Sequence, residues 1–252
     1  MGVWTNVGDT DAISENTRIT SITSAASSQP KIRYTSSGFY EMQLPSEAYA
    51  RLILSDPNTS DTAFRLQSRN AGLTISGSRA DGYQYSELGW WARADLDFGM
   101  TADFGTIAFG TPTPASGVPV TGSATYEGIA SGATDVVRGG PFSLILLGAE
   151  GTVTLGFNFG TGTLGGEMAL SATDGVTAPI DLGTFTFTQT VFSSGSTAYS
   201  GKFDTSAPGF NFFNGLFTGP NVEETIGSWA LPFRLEGADH QAIGAWIAKK
   251  GN

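Results

Sequence analysis

One stretch, FNFFNGLFTGPNVEETIGSWALPFRL from Phe210 to Leu235, limits the folds open to this chain. It reads as two β-strands and a turn. Phe213, Gly215, Phe217 and Gly219 fall on one face of the first, with Phe212, Asn214 and Leu216 on the other. Trp229, Leu231, Phe233 and Leu235 share a face of the second. That is the period-2 pattern of a half-buried strand. Pro220 ends the first run because it has no N–H for a ladder. Gly215, Gly219 and Gly227 stand where a strand normally carries side chains. In a small closed barrel such glycines let the sheet bend and let large rings lie over bare backbone.

The same rhythm extends back to Val120. Strand patterns lie near 121–130, 142–149, 151–159, 163–172, 182–192, 197–204, 210–218, 225–235 and 241–249. Those near 142–149 and 151–159 are read as one long strand bent at Gly148 and Gly151, leaving eight. Val153, Leu155, Phe157 and Phe159 alternate with threonine and asparagine. Phe185, Phe187 and Val191 alternate with Thr184, Thr186, Thr188 and Thr190. Eight antiparallel strands with hairpin spacing predict a closed up-and-down barrel, which leaves no exposed edge. The many large apolar residues predict a filled interior, with binding at loops or on the other subdomain.

The first half is less regular. Short strand patterns begin near Lys31 and recur through the Phe104–Phe109 run. Ser46 to Leu54 fits either a short helix or a strand. Residues 110–119 hold three prolines and predict an extended connector poor in ladder bonds. The chain is therefore read as all-β: a smaller β-rich subdomain, 1–116, and an eight-stranded barrel, 117–252.

Composition removes several functions. A formal net charge of −10 without clustered Lys or Arg argues against a nucleic-acid partner. The chain has no cysteine, so disulfides and thiolate metal sites are excluded. Its one histidine cannot complete a multi-histidine metal site. The longest apolar run, 142–149, is too short for a membrane helix.

Three fragments in order carry a family resemblance: Gly122-Ser123-Ala124-Thr125-Tyr126-Glu127-Gly128, Gly215 to Gly227, and Gly244-Ala245-Trp246-Ile247-Ala248-Lys249-Lys250. The chain resembles the transferrin-binding protein B family of bacterial surface lipoproteins, whose barrels carry roughly G-x-F-Y-G-P-x-A-x-E-x-x-G and then G-x-F-x-A-K/R. It departs at Thr218, where an aromatic is common, and at Val222 and Ile226, where small residues are. The resemblance covers residues 110–250 best and corresponds to one lobe, with residues 1–109 as its "handle". It implies a lipid-anchored protein on the outer face of a Gram-negative outer membrane. Such a protein captures an iron carrier, haem or other nutrient for a TonB-dependent receptor. It also implies no covalent chemistry. No signal peptide or lipidated cysteine is legible, and the anchor is expected to have been trimmed.

The candidate binding residues are Tyr83, Tyr85, Trp90 and Trp91, an aromatic cluster suited to an interface, and His240. Alternation sends one of Trp90 and Trp91 inward and leaves the other at the seam or exposed. His240 is expected at the tip of the last hairpin, either solvated or an axial ligand to haem. Asp95 and Asp97 would share a strand face, as a cation site or as ordinary surface. Glu224 is expected to accept hydrogen bonds from turn amides. Gly160 to Gly165 matches G-x-G-x-x-G but has no following helix, so it is a hairpin.

The alternatives are an integral eight-stranded outer-membrane barrel, which needs an outward apolar band, and a structural or adhesion surface protein without a small-molecule ligand. A carboxylate-based enzyme has no supporting motif.

Overall fold

The structure, a computed structural model, describes residues 2–7, 22–24, 31–37, 40–43, 50–54, 63–68, 73–78, 82–95, 101–140 and 143–251. Among these, nine strands form one antiparallel sheet and eight close a barrel. The sheet strands are β1 (Gly2–Val7), β2 (Ile22–Ser24), β3 (Lys31–Tyr34), β4 (Tyr40–Gln43) and β5 (Ala50–Leu54). They continue with β6 (Ala63–Ser68), β7 (Leu73–Ser78), β8 (Ser86–Asp95) and β9 (Thr101–Gly110). Their order is β2-β1-β9-β8-β7-β6-β5-β4-β3. The ambiguous 46–54 stretch is strand where it is described, from Ala50.

The barrel strands follow in chain order, each paired with the next and the last with the first: β10 (Ser123–Gly140), β11 (Ser143–Asn158), β12 (Thr163–Thr173) and β13 (Ile180–Val191), then β14 (Ala198–Phe203), β15 (Phe212–Thr218), β16 (Glu224–Leu235) and β17 (Ala238–Lys250). β10 runs past the expected 121–130. Its far part pairs with β11 from Val137↔Leu146 to Gly140↔Ser143, beyond its last pairing with β17 at Thr134. β11 is the expected single long strand.

Inside, the barrel is filled. Phe157 lies 4.8–6.0 Å, between ring centroids, from Tyr126, Phe159, Phe192, Tyr199 and Phe217. A second layer joins Phe187, Phe203, Phe213 and Trp246 at 4.5–5.9 Å. Such ring pairs add about 0.5–1.5 kcal/mol beyond the area they bury. Two phenols are satisfied within the barrel: Tyr126 donates to Val222 O (2.6 Å), and Tyr199 to Thr225 Oγ1 (2.6 Å), which in turn donates to Leu216 O (2.8 Å).

The glycines make room for these rings. Gly215 pairs with Tyr199 across β14–β15, and Gly227 with Trp246 across β16–β17. A Cβ on either glycine would overlap the opposing ring. Phe213 lies over Gly201 and Trp229 over Gly244 in the same way. Each ring covers the glycine directly across from it, so large and absent side chains alternate around the wall. Val222, a β-branched residue at φ 58°, closes one end with a fully buried side chain. That backbone region is strained for such a residue.

In one place the alternation changes phase. Val191 does not share a face with Phe185 and Phe187; it is 64 % exposed. Gln189, at φ 45°, lies where the β13–β14 register shifts between Thr188 and Val191. The bulge lets Phe192 take the inward place instead.

Gly215→Ala or Gly227→Ala is expected to cost about 1–3 kcal/mol by overpacking. Gly165→Ala, where a Cβ meets nothing within 4 Å, should be near neutral, as read by urea unfolding. Burial pushes the phenols of Tyr83, Tyr126 and Tyr199 well above their ordinary value. The native state then holds these protons where the unfolded chain has lost them. Stability is therefore complete below pH ~10 and falls as pH rises past it. Ultraviolet difference titration should show these three ionising together with unfolding, not before it.

Candidate functional site

The aromatic cluster does not form a free binding patch. Tyr83 is buried, and its hydroxyl donates to Ile247 O (3.1 Å). With Leu88 and Ala108 it packs on Leu216, Ile226, Ala245 and Ile247, which point outward from the barrel. Lys249 Nζ lies 5.5 Å from its ring centroid. This is the seam between sheet and barrel. Tyr85 is half-buried, its ring against Gly219. Trp91 is 2 % exposed, on the β8 face opposite Leu88, whereas Trp90 is half-buried on the Leu88 face. One of the pair does turn inward. The expectation of an exposed aromatic interface is corrected for Tyr83, whose ring fills the gap where sheet and barrel meet, and for Trp91, which is buried on the other face of the sheet.

Glu224 fixes the seam. It is 3 % exposed, and its carboxylate accepts from the backbone N–H groups of Gln84 (2.6 Å) and Tyr85 (3.1 Å). The amides it caps belong to the other subdomain, not to its own turn. Ser86 Oγ meets Thr218 Oγ1 at 2.7 Å beside it. The connector joins the same seam. Thr113 N donates to Phe217 O and Gly219 N to Thr111 O, both at 2.9 Å. The connector therefore does pair. Thr111 and Thr113 alternate with Pro112 and Pro114, so the prolines fall where no donor is used.

A cleft of about 540 Å³ opens at one end of this seam. It is lined by Gln84, Tyr85, Glu127, Glu223, Lys249 and Lys250 among others. Burial raises the Glu223 carboxyl, but hydrogen bonds from the Asn221 backbone and side chain (2.7 and 3.1 Å) outweigh it and hold the group below its usual value. Acids and ammonium groups face one another here in register: Glu127 and Glu224 both lie opposite Lys249.

His240 is not at a hairpin tip. It lies on β17 opposite Phe233, whose ring it stacks on at 5.6 Å. Its Nδ1 meets Asp135 Oδ1 at 2.9 Å, and the same oxygen accepts from Gln241 N (3.1 Å). The His240 side chain is 12 % exposed and that of Asp135 4 %. The tight Glu236-Gly237 turn, with both residues at positive φ, ends the hairpin before His240 is reached. A haem ligand would have to present Nε2 to a broad open face. A ring enclosed by Phe233 and Asp135 does not, so these residues do not fit haem. The expected pairing of Asp95 and Asp97 lies outside the described residues. Gly160-Thr161-Gly162 is the expected turn, with Asn158 Oδ1 accepting from Gly160 and Thr161 N–H.

Glu224→Ala leaves the Gln84 and Tyr85 N–H groups, part-buried at the seam, without their acceptor. Charge-assisted bonds of this kind contribute about 1.5–3 kcal/mol. The expected result is faster amide hydrogen exchange at Gln84 and Tyr85 and lower stability; unchanged exchange at both would remove the clamp.

No protein-family model and no curated protein sequence matches the chain. Solved structures do. The double mutant of transferrin-binding protein B from Haemophilus parasuis Hp5 matches with a TM-score of 0.51 at 13 % identity, over 99 % of this chain and 44 % of that one. A single mutant of the same protein gives 0.51 at 12 %, over 100 % and 45 %. Isotype 1 transferrin-binding protein B from serogroup B Neisseria meningitidis gives 0.49 at 19 %, over 84 % and 39 %. The chain shares the fold of a transferrin-binding protein B lobe, as its motifs suggested, and spans under half the length of these structures.

Proposed function

We propose that this chain is a non-catalytic binding lobe displayed on a bacterial surface. It captures an iron carrier or another nutrient-bearing protein on its outside and delivers it to a TonB-dependent outer-membrane receptor. The observation that carries this is the filled barrel. With Phe157, Phe213, Phe217, Trp229 and Trp246 in its centre, the interior offers no room for cargo, so recognition falls to the exterior. The shared fold supports the reading, since the matched structures are named for transferrin binding.

The membrane-barrel alternative is disfavoured by the direction of the side chains. A transmembrane barrel is apolar outside and polar within. Here Thr152, Glu167, Thr184, Thr186 and Lys202 are exposed on the wall, and the aromatic rings are inside. The handle sheet also covers β15–β17 from outside. A purely structural or adhesive surface role stays as the second reading, because it too needs a solid lobe.

The test is direct titration of the purified chain with iron-loaded transferrin, a ferric chelate and haemin. Saturable binding to the protein carrier or chelate supports capture. Haemin should give a flat Soret trace, the same in His240→Ala. A saturable Soret shift lost in that variant would contradict the enclosed His240. No binding to any of the three favours the structural role.

A further inference from the structure

The cleft at the seam is built from four segments far apart in sequence. Gln84 and Tyr85 come from the handle, Glu127 from β10, Glu223 from the turn before β16, and Lys249 and Lys250 from the end of β17. Its volume is about 540 Å³. Pockets for small ligands run from about 300 to 1,000 Å³ and favour such domain interfaces.

The walls are set before anything binds. The handle amides hold Glu224, and Asn221 holds Glu223. Lys250 N donates to Glu223 O and Gly251 N to Thr125 O, both at 2.9 Å, so the end of β17 is tied to the turn on one side and to β10 on the other. Lys249 is placed as well. Its ammonium lies over the Tyr83 ring and against Gly82, where a Cβ would come within 2.6 Å of Nζ. Gly82, at φ 84°, offers bare backbone in a left-handed setting. Two charged groups are left for other use. Among the described residues, the Glu127 carboxylate and the Lys250 ammonium make no hydrogen bond or ion pair, and both residues are exposed. A ligand that engages them displaces water, not a protein partner, and it meets a frame already ordered, which keeps the entropy lost on binding small.

The charge pattern selects the class of ligand. The carboxylates of Glu127, Glu223 and Glu224 share the lining with the ammonium groups of Lys249 and Lys250. A plain anion would meet three carboxylates, and a plain cation two ammonium groups. Among the described residues, no three acids are grouped to hold a metal ion. Glu127 lies opposite Lys249, and Lys250 is the next residue along β17, so opposite charges are offered one residue apart. A molecule that carries both an ammonium and a carboxylate meets a partner for each.

We infer that this cleft binds a small zwitterion of the amino-acid type, its ammonium on Glu127, its carboxylate on Lys250 and its side chain toward the handle wall at Gln84 and Tyr85. The inference goes beyond surface capture. It adds a small-molecule site outside the filled barrel, and an occupant that touches both handle and barrel holds the seam more tightly.

The probes are the free L-amino acids, each titrated into the isotope-labelled whole chain through the millimolar range, with the amide NMR signals of Gln84, Tyr85, Lys250 and Gly251 followed. At least one should move these four signals together and saturably. Its N-acetyl derivative lacks the ammonium and its carboxamide lacks the carboxylate; each should bind at least about tenfold more weakly, as loss of one partner of a charge pair does. Glu127→Gln should weaken the parent by a similar factor and leave the N-acetyl derivative unchanged. Lys250→Gln should weaken the parent and leave the carboxamide unchanged. Such a cycle separates a direct contact from a general effect on the fold. Asp181→Asn and Lys202→Gln, elsewhere on the barrel, should alter nothing. All four substituted positions are exposed, and urea unfolding checks that each variant folds. No response of the four signals to any amino acid, equal binding of either derivative, or variants that weaken parent and derivative alike would each overturn the site. None of these results bears on capture of a carrier, which fails separately if nothing binds in the titrations above.

Discussion

The contact of large rings with bare backbone is what the rest of this molecule depends on. A barrel of eight strands has an interior just wide enough to be filled by its own side chains. Here the rings of Tyr199, Phe213, Trp229 and Trp246 each lie over a glycine on the adjoining strand. Because opposed positions carry either a ring or nothing, ring and backbone meet with no side chain between them. A solid barrel follows, and with it the displacement of any binding function to the outside.

That solidity also gives the handle a firm surface to pack on. β16 and β17 are buried on both faces, the inner by rings and the outer by the sheet. Burying the Glu224 carboxylate is tolerated because two amides of the other subdomain solvate it. Packing of Leu216, Ile226, Ala245 and Ile247 and the Glu224 clamp act on the same seam. Sheet and barrel are therefore held as one surface on which a partner can be oriented.

Much of the barrel was legible because period-2 alternation is a direct consequence of strand geometry. Residues 142–159 could be read as one bent strand, and the glycines of 215–227 as places for rings. The bulge at Gln189 was not legible, since a single left-handed residue leaves no trace in composition and shifts every later side chain by one face. The seam was hidden for a related reason. Tyr83 is chemically suited to either an interface or a core, and only the handle's position decides. Ile243, Ala245 and Ile247 did carry a signal: with Ala242, Trp246 and Ala248 between them, β17 is apolar on both faces, the mark of a strand covered twice. His240 was misplaced because the turn at Glu236-Gly237 is tighter than the polar run 236–240 suggests. Its partner Asp135 lies 105 residues away and could not be found by spacing.

The central claim is a dry, filled barrel, and the most direct measurement is fluorine NMR of the chain labelled with 5-fluorotryptophan. Signals assigned by single Trp→Phe substitutions are compared in light and heavy water. Trp229 and Trp246, both fully buried in the interior, should show no solvent isotope shift and no change on adding an apolar small molecule. An isotope shift like that of an exposed indole, or displacement by such a molecule, would mean a solvated cavity and would contradict the account.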